Sequence, residues 1–268
     1  MRSNRRTSFI LLFLGSLLGA ISFSWPLYLP ESNFFFFQPD SARAFAILIA
    51  LIGIGVVSLD ISQGALDSKA VALLGVLAAL IAALRLVGAG AIGIEPMWFL
   101  LIISGYVFGA NFGFALGVIS MGVSALMTGG VGPWLPFQML AAGWIGLFAG
   151  SVARLTRRFK LKVEILSLVL VGLFSSLTFG FLMDLQLWPW ITSTDTQLSF
   201  IAGGAILENF QRFIVFHLAT ALAWDIPRAI TTSVLIALTA RPLLHSLRRA
   251  QNRLNFTLRA MQPTVSAR

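Results

Sequence analysis

The chain has 268 residues, of which 57% are hydrophobic and only 11% are charged, and its mean hydropathy is +0.89. A soluble domain carries about 25% charged residues, so this composition excludes a soluble globular protein. It predicts an all-α polytopic membrane protein with about eight transmembrane helices. The net charge of +9 is concentrated before the first apolar segment, in one loop (154–162) and in the C-terminal part (241–268). This distribution indicates membrane topology rather than nucleic-acid binding.

The first two predicted spans cover residues 8–29 and 44–59. The N-terminal segment resembles a signal peptide, because arginines precede an apolar core. The core is long, however, and no small-residue cleavage site follows it. We therefore interpret it as a retained span with its N-terminus in the cytoplasm. The loop after it contains Glu31 and Asp40 and few basic residues, which predicts an external position.

The third predicted span, 69–87, is followed by an apolar stretch that repeats glycine at every fourth position from Gly105 to Gly117. As one helix, residues 96–127 would be about 48 Å long, against a hydrocarbon core of about 30 Å. One crossing would also place the basic loop RLTRRFKLK outside, against the positive-inside rule. The sequence therefore predicts two helices, 97–109 and 112–128. They fold back at Ala110 and Asn111 on the cytoplasmic side, where Asn111 caps the second helix.

Spans at 137–151 and 163–183 flank the basic loop. Two interpretations remain for the following segment. Either one long kinked helix crosses the membrane, or an external amphipathic helix (207–224) precedes a last span that starts at Asp225. We favour the second, in which Asp225 is the N-cap and Pro227 lies in the first turn. Both interpretations place the arginine-rich C-terminus in the cytoplasm.

Several residues could bind a small molecule near the predicted external face. The loop TGGVGPWLPFQ places an aromatic ring, Trp134, and an amide, Gln138, at a helix start. Anchoring at the membrane interface is the alternative role for Trp134, and equally for Trp188 and Trp190. Asp225 and Arg228 share a helix face and form either a structural ion pair or a ligand contact.

The third span contributes a cation and a set of small residues. Arg85, near its outer end, either extends to the membrane interface or reaches a ligand carboxylate or phosphate. Ala78 and Ala82, and likewise Ala79 and Ala83, stand four apart. Small residues at this spacing let helices approach closely, either within the chain or against a partner.

No catalytic motif is present in the sequence. The two histidines, His217 and His245, do not form a zinc-protease motif, and neither a nucleophile elbow nor a Walker A sequence occurs. Cysteine is absent. We therefore predict that the protein is not an enzyme, has no metal site and no cofactor, and cannot energise transport by itself.

Taken in order, these features resemble the six-helix substrate-binding subunit (S component) of energy-coupling factor (ECF) vitamin transporters. The resemblance covers about residues 69–250. It rests on the alanine-rich span and the segments FGANFGFALG, GPWLPFQMLAAGWIGLFAG and WDIPRAITTSVLIALTARPLLHSLRRA. It divides the chain into two additional N-terminal helices (1–68), a six-helix substrate-binding domain (69–250) and a basic cytoplasmic tail (251–268).

The resemblance implies a multi-pass protein of a prokaryotic cytoplasmic membrane that captures a vitamin or related micronutrient outside and delivers it by toppling. Its implied partners are a transmembrane coupling subunit and a pair of cytoplasmic ABC ATPases. The implied substrate site includes Trp134, Gln138 and the segment 188–228. The implied coupling contact is Ala78, Ala79, Ala82 and Ala83. The vitamin is not identified by the sequence, and the resemblance alone leans towards cobalamin or a precursor.

Two other classes of function stay open at this stage. A self-sufficient permease or channel would need an internal inverted repeat or broken helices at mid-membrane, and the sequence shows no convincing repeat. A membrane enzyme is disfavoured because catalytic groups are missing.

Overall fold

A computed structural model describes residues 2–27, 47–55, 58, 68–88, 93–191, 196 and 198–261. Within these ranges the chain is helical and contains no strand, which confirms the all-α prediction. Residues 47–55 are helical, as are seven longer elements: α1 (Arg2–Ser24), continued by a 3-10 turn (Trp25–Leu27), α2 (Ser68–Val87), α3 (Met97–Phe108), α4 (Ala110–Thr128), α5 (Leu135–Thr156), α6 (Leu161–Ile191) and α7 (Ile206–Met261).

Six of these helices are long and apolar enough to cross a membrane, namely α1, α2, α4, α5, α6 and α7. The predicted fourth span is the shorter helix α3, whose 12 residues rise only about 18 Å. Of the predicted second span, residues 47–55 and 58 lie within the described ranges and the rest lies outside them. The described part of the chain is therefore a multi-pass membrane bundle.

The glycine-rich segment is broken into two helices, as predicted. The break lies at Gly109, one residue before the predicted position, with φ 103°. This backbone conformation favours glycine because a Cβ would be strained there. Gly109 is also the N-cap of α4, so the prediction that Asn111 caps this helix is wrong, since Asn111 already lies in its first turn.

Both arms of this hairpin pack directly on the backbone of α5. A Cβ on Gly105 would lie 2.6 Å from the carbonyl oxygen of Gly146, and a Cβ on Gly146 would lie 2.0 Å from that of Gly113. One turn away, Gly117 faces the carbonyl of Ala142 in the same way, at 2.2 Å. Residues without side chains are required at this crossing because the helix backbones are in contact.

The tip of the hairpin lies beside the basic loop. The Arg157 guanidinium donates hydrogen bonds to the carbonyl oxygens of Tyr106 and Val107. The Gln251 side chain donates a further one to Val107 at 2.9 Å. The Arg157 guanidinium and the Gln251 amide therefore supply hydrogen-bond donors to the last carbonyl groups of α3. We call this end of the bundle, which the positive-inside rule predicts to be cytoplasmic, the basic end, and the opposite end the outer end.

Helices α6 and α7 run antiparallel along each other. From the outer end to the basic end, Asp184 contacts His217, Gly180 faces Asp225 and Gly172 faces Ile236. Glu164 and Arg248 complete the series near the basic end. This pairing places Asp225 against Gly180 and Arg228 over the ring of Phe179.

α7 is one continuous helix of 56 residues with Pro227 in its interior. The favoured prediction of a separate external helix and of an N-cap at Asp225 is therefore wrong. The Asp225 carboxylate accepts a hydrogen bond from the Arg228 side chain instead of capping a helix start, and packing against α6 supports the helix on both sides of the proline. The apolar stretch long enough to span a membrane begins at Ala223, so the first turns of α7 precede it.

We expect Gly146→Ala to destabilise the protein by roughly 1–3 kcal/mol, because the added methyl group would overlap the Gly113 carbonyl. The matched control is Gly122→Ala, whose methyl group would lie 3.5 Å from the Met139 side chain, an ordinary contact. Thermal unfolding of the detergent-purified variants measures the difference. Equal unfolding temperatures for the two variants would contradict the proposed backbone crossing.

Candidate functional site

The seven residues predicted to bind a small molecule all lie towards the outer end of the bundle. They form three separate groups rather than one cluster. The first joins α2, α4 and α5, the second joins α6, α7 and the start of α3, and the third lies where α6 ends.

The first group is centred on Arg85. Its guanidinium donates to the Ser124 hydroxyl at 2.6 Å and to the Gln138 amide oxygen at 3.1 Å. Arg85 therefore points towards α4 and the start of α5. Trp134, the residue before α5, is 40% exposed and covers Gly132, while its indole N–H donates to the carbonyl oxygen of Gly130 at 3.3 Å. The first group thus combines a held cation with an accessible aromatic ring.

The second group is a buried ion network around Arg228. Its guanidinium donates to the Asp225 carboxylate at 2.7 Å and to the Glu95 carboxylate at 3.1 Å. It also lies over the ring of Phe179, 5.1 Å from the centroid. Glu95 accepts a further hydrogen bond from the Trp98 indole at 2.5 Å. One cation therefore joins two carboxylates from different parts of the chain, which is how a charge at membrane depth is stabilised.

Glu95, Trp98 and Phe179 were not predicted as parts of this site. Only the packing of the start of α3 against α6 and α7 brings them to Arg228. A cation at membrane depth needs an acidic partner. In the sequence, Asp225 is the acidic residue nearest to Arg228 and already meets this need, so nothing there indicates Glu95 as a second partner.

Helices α6 and α7 contain buried polar side-chain atoms that have no hydrogen-bond partner among the described residues. They are the hydroxyl groups of Ser175, Ser176 and Thr232, the Gln186 amide oxygen and the second carboxylate oxygen of Asp225. A buried polar atom left without a partner costs about 1–3 kcal/mol. Ser176 and Asp225 lie next to Arg228, so part of this set borders the ion network, whereas Ser175 lines a separate pocket against α5.

The third group is aromatic. Trp188 is fully buried, donates to the Leu198 carbonyl oxygen at 2.7 Å and packs on Phe213. Trp190 is half exposed and lies 6.0 Å from Trp25, at the end of α1. Of the two, only Trp190 is accessible to a ligand, whereas Trp188 supports the fold beneath it.

His217 and Asp184 lie close to this group and were not predicted to interact. His217 Nδ1 lies 2.7 Å from an Asp184 carboxylate oxygen, which also accepts a hydrogen bond from Thr220 at 2.9 Å. Among the described residues no group of three or more histidine or acidic side chains could hold a metal ion.

The four alanines of the predicted coupling contact are divided between two faces of α2. Ala78 and Ala82 are buried within the bundle, whereas Ala79 and Ala83 are exposed. Gly75, one turn before Ala79, is exposed and has open space beside it. A partner helix could therefore approach α2 along Gly75, Ala79 and Ala83, while Ala78 and Ala82 serve packing inside the chain.

We expect Arg228→Gln to destabilise the protein by roughly 3–5 kcal/mol, because it leaves the buried Asp225 carboxylate without its cation. The double variant Asp225→Asn/Arg228→Gln is expected to lose less than the sum of the single variants. Arg212→Gln, which breaks the exposed pair with Glu208, is the control and should change stability by less than about 1 kcal/mol. Thermal unfolding in detergent measures the stability of the two single variants Arg228→Gln and Asp225→Asn, of the double variant and of the control. An Arg228→Gln variant as stable as the control would contradict the network.

Comparison with known protein families identifies the family of this chain. The model of the family "ECF transporter, substrate-specific component" matches residues 69–240, which is more than half of the chain. No curated protein and no solved structure matches. The matched region begins in α2, includes the glycine hairpin and its crossing with α5, and ends within α7. The chain belongs to the family of substrate-specific components of ECF transporters.

Proposed function

We propose that the protein captures a vitamin or related micronutrient at the outer face of a prokaryotic cytoplasmic membrane and releases it inward by toppling, driven by a coupling subunit and two ABC ATPases. The observation that carries this proposal is the family match over residues 69–240. The absence of a Walker A motif from the sequence supports the need for separate ATPases.

The proposed substrate site is the outer end of the bundle. Small-molecule sites combine aromatic surface with a few convergent polar groups. Trp134 and Trp190 supply exposed aromatic surface, and Gln138, held by Arg85, supplies an amide beneath the Trp134 loop. The α6–α7 seam at Asp225 and Arg228 supplies a carboxylate oxygen without a partner. All three groups lie towards this end of the bundle, and we propose that the ligand contacts the start of α5 and the two long helices there.

Toppling requires the subunit to rotate in lipid without exposing charge. Among the described residues, the charges within the bundle are satisfied internally. Arg228 pairs with Asp225 and Glu95, Glu164 pairs with Arg248, and Arg85 donates to the neutral Ser124 and Gln138 side chains. The outward face of α6 is apolar through Leu166, Leu170, Leu173, Phe174 and Leu177. Ion pairs that move together with the bundle avoid the high cost of a lone charge in hydrocarbon, which supports the proposed motion.

The first experiment identifies the ligand and separates binding from transport. Mass spectrometry of the protein purified without added substrate is expected to show a bound vitamin-like compound. Reconstituted alone in liposomes, the protein should not take this compound up, whereas co-reconstitution with a coupling subunit and ATPases should give ATP-dependent uptake. Uptake by the isolated protein without ATP would overturn the proposal in favour of a self-sufficient permease.

We expect Trp134→Ala and Gln138→Ala each to weaken ligand binding by about tenfold or more, equivalent to about 1.4 kcal/mol. The physical reason is loss of the accessible ring and of the amide beside it. Phe159→Ala, which removes an exposed aromatic side chain at the basic end, is the matched control. Isothermal titration with the identified ligand measures the affinities. Wild-type affinity in both outer-end variants would remove this loop from the site.

We expect Ala79→Leu and Ala83→Leu to block assembly with the coupling subunit while leaving ligand binding intact, because both alanines are exposed on α2 and larger side chains would hold a partner helix away. Val76→Leu, a small change at an exposed position of the same helix, is the control. Co-purification with the coupling module measures assembly. Normal assembly of both alanine variants would show that the module binds another face.

A further inference from the structure

An open groove of about 1330 Å³ lies at the basic end, between the start of α6 and the C-terminal part of α7. Its lining contains one acidic residue, Glu164, and six basic ones: Arg157, Arg241, His245, Arg248, Arg249 and Arg253. The proposed transport cycle assigns no role to this groove, and substrate is proposed to bind at the opposite end.

The single acidic residue of the groove, Glu164, already has partners within the chain. Glu164 is 2% exposed, accepts a hydrogen bond from Arg248 at 2.6 Å and another from the Tyr106 hydroxyl at 3.2 Å. Arg157 is occupied by the carbonyl groups at the end of α3. Arg241 and Arg249 are exposed and have no acidic partner within the described ranges. The groove therefore presents two arginines whose charge is not compensated by an acidic side chain in the described part of the chain.

The position of these arginines relative to the membrane follows from one face of α7. Val234, Leu238, Arg241, His245 and Arg249 follow each other at spacings of three or four residues, so they form one stripe. Val234 and Leu238 are exposed, Leu238 to 73%, and beyond them the stripe becomes basic. An exposed stripe that is apolar on one side and cationic on the other marks the boundary between hydrocarbon and headgroups.

We propose that this groove binds an anionic phospholipid, with Arg241 and Arg249 holding the headgroup phosphate and with an acyl chain lying along Val234 and Leu238. Arginine suits this role because its planar fork donates paired hydrogen bonds to phosphate oxygens. Basic pockets between membrane helices on the cytoplasmic side are sites where anionic headgroups bind. The cationic half of the stripe continues directly into an apolar half, which matches a molecule that joins a phosphate headgroup to acyl chains and favours a lipid over a free phosphate.

Native mass spectrometry of the full-length protein in detergent, with added phosphatidylglycerol or phosphatidylcholine, tests the proposal. The wild type is expected to retain phosphatidylglycerol selectively. The double variant Arg241→Gln/Arg249→Gln is expected to lose this selectivity by about tenfold. The control is Arg154→Gln/Lys160→Gln, which removes two charges from the same end but outside the groove lining and should keep wild-type binding.

Three results would overturn the proposal. Equal loss in the groove variant and the control would show a non-specific effect of net charge. Equally tight binding of soluble glycerol phosphate would show a phosphate site that does not need acyl chains. Unchanged lipid binding together with failed assembly with the coupling module would assign the arginines to a protein partner. Size-exclusion chromatography checks that each variant is folded. If the double variant does not fold, the single variant Arg249→Gln replaces it, with an expected loss of phosphatidylglycerol selectivity of about threefold.

Discussion

The contact of the glycine hairpin with Gly146 is the constraint on which the rest of the bundle depends. Gly105 and Gly113 lie against the same stretch of α5 backbone, and any Cβ at these positions would overlap it. Because lipid supplies no hydrophobic driving force between helices, close backbone contact is what holds such an assembly together. The crossing fixes α3, α4 and α5 relative to one another. It thereby fixes which end of α5 carries the Trp134 loop and which end carries Arg157.

Charge is organised differently at the two ends of the bundle. Towards the outer end, Arg228 is enclosed by two carboxylates and the Phe179 ring, so the charge is stabilised but not available to water. At the basic end, Glu164 holds Arg248 while other arginines remain exposed. Enclosed pairs suit a body that moves through lipid as a unit, and exposed arginines suit the headgroup layer. Both arrangements are compatible with a subunit that binds at one end and is driven from the other.

The candidate site shows which contacts and exposures residue types alone can predict. The sequence predicts Arg85 and Gln138 as separate site residues, and the structure shows a direct hydrogen bond between them. Trp188 and Trp190 stand two residues apart, yet one is buried support and the other is half exposed. Ala78 and Ala79 are neighbours, yet Ala78 is buried within the bundle and Ala79 is exposed. Sequence position could not separate these pairs, because the helix rotation that distinguishes them is set by the neighbouring helices.

The sequence by itself determined the membrane class, the family resemblance and the break in the glycine segment. Composition, loop charge and the thickness of a bilayer act on the chain locally, and they constrain any structure that it forms. Only the tertiary structure decided that α7 continues through Pro227, that Gly109 rather than Asn111 starts α4, and that Glu95 and Trp98 join Arg228. Each of these depends on contacts between residues far apart in the chain. In hydrocarbon such contacts decide where a helix ends and where a charge lies, because polar groups there must be satisfied by the protein itself.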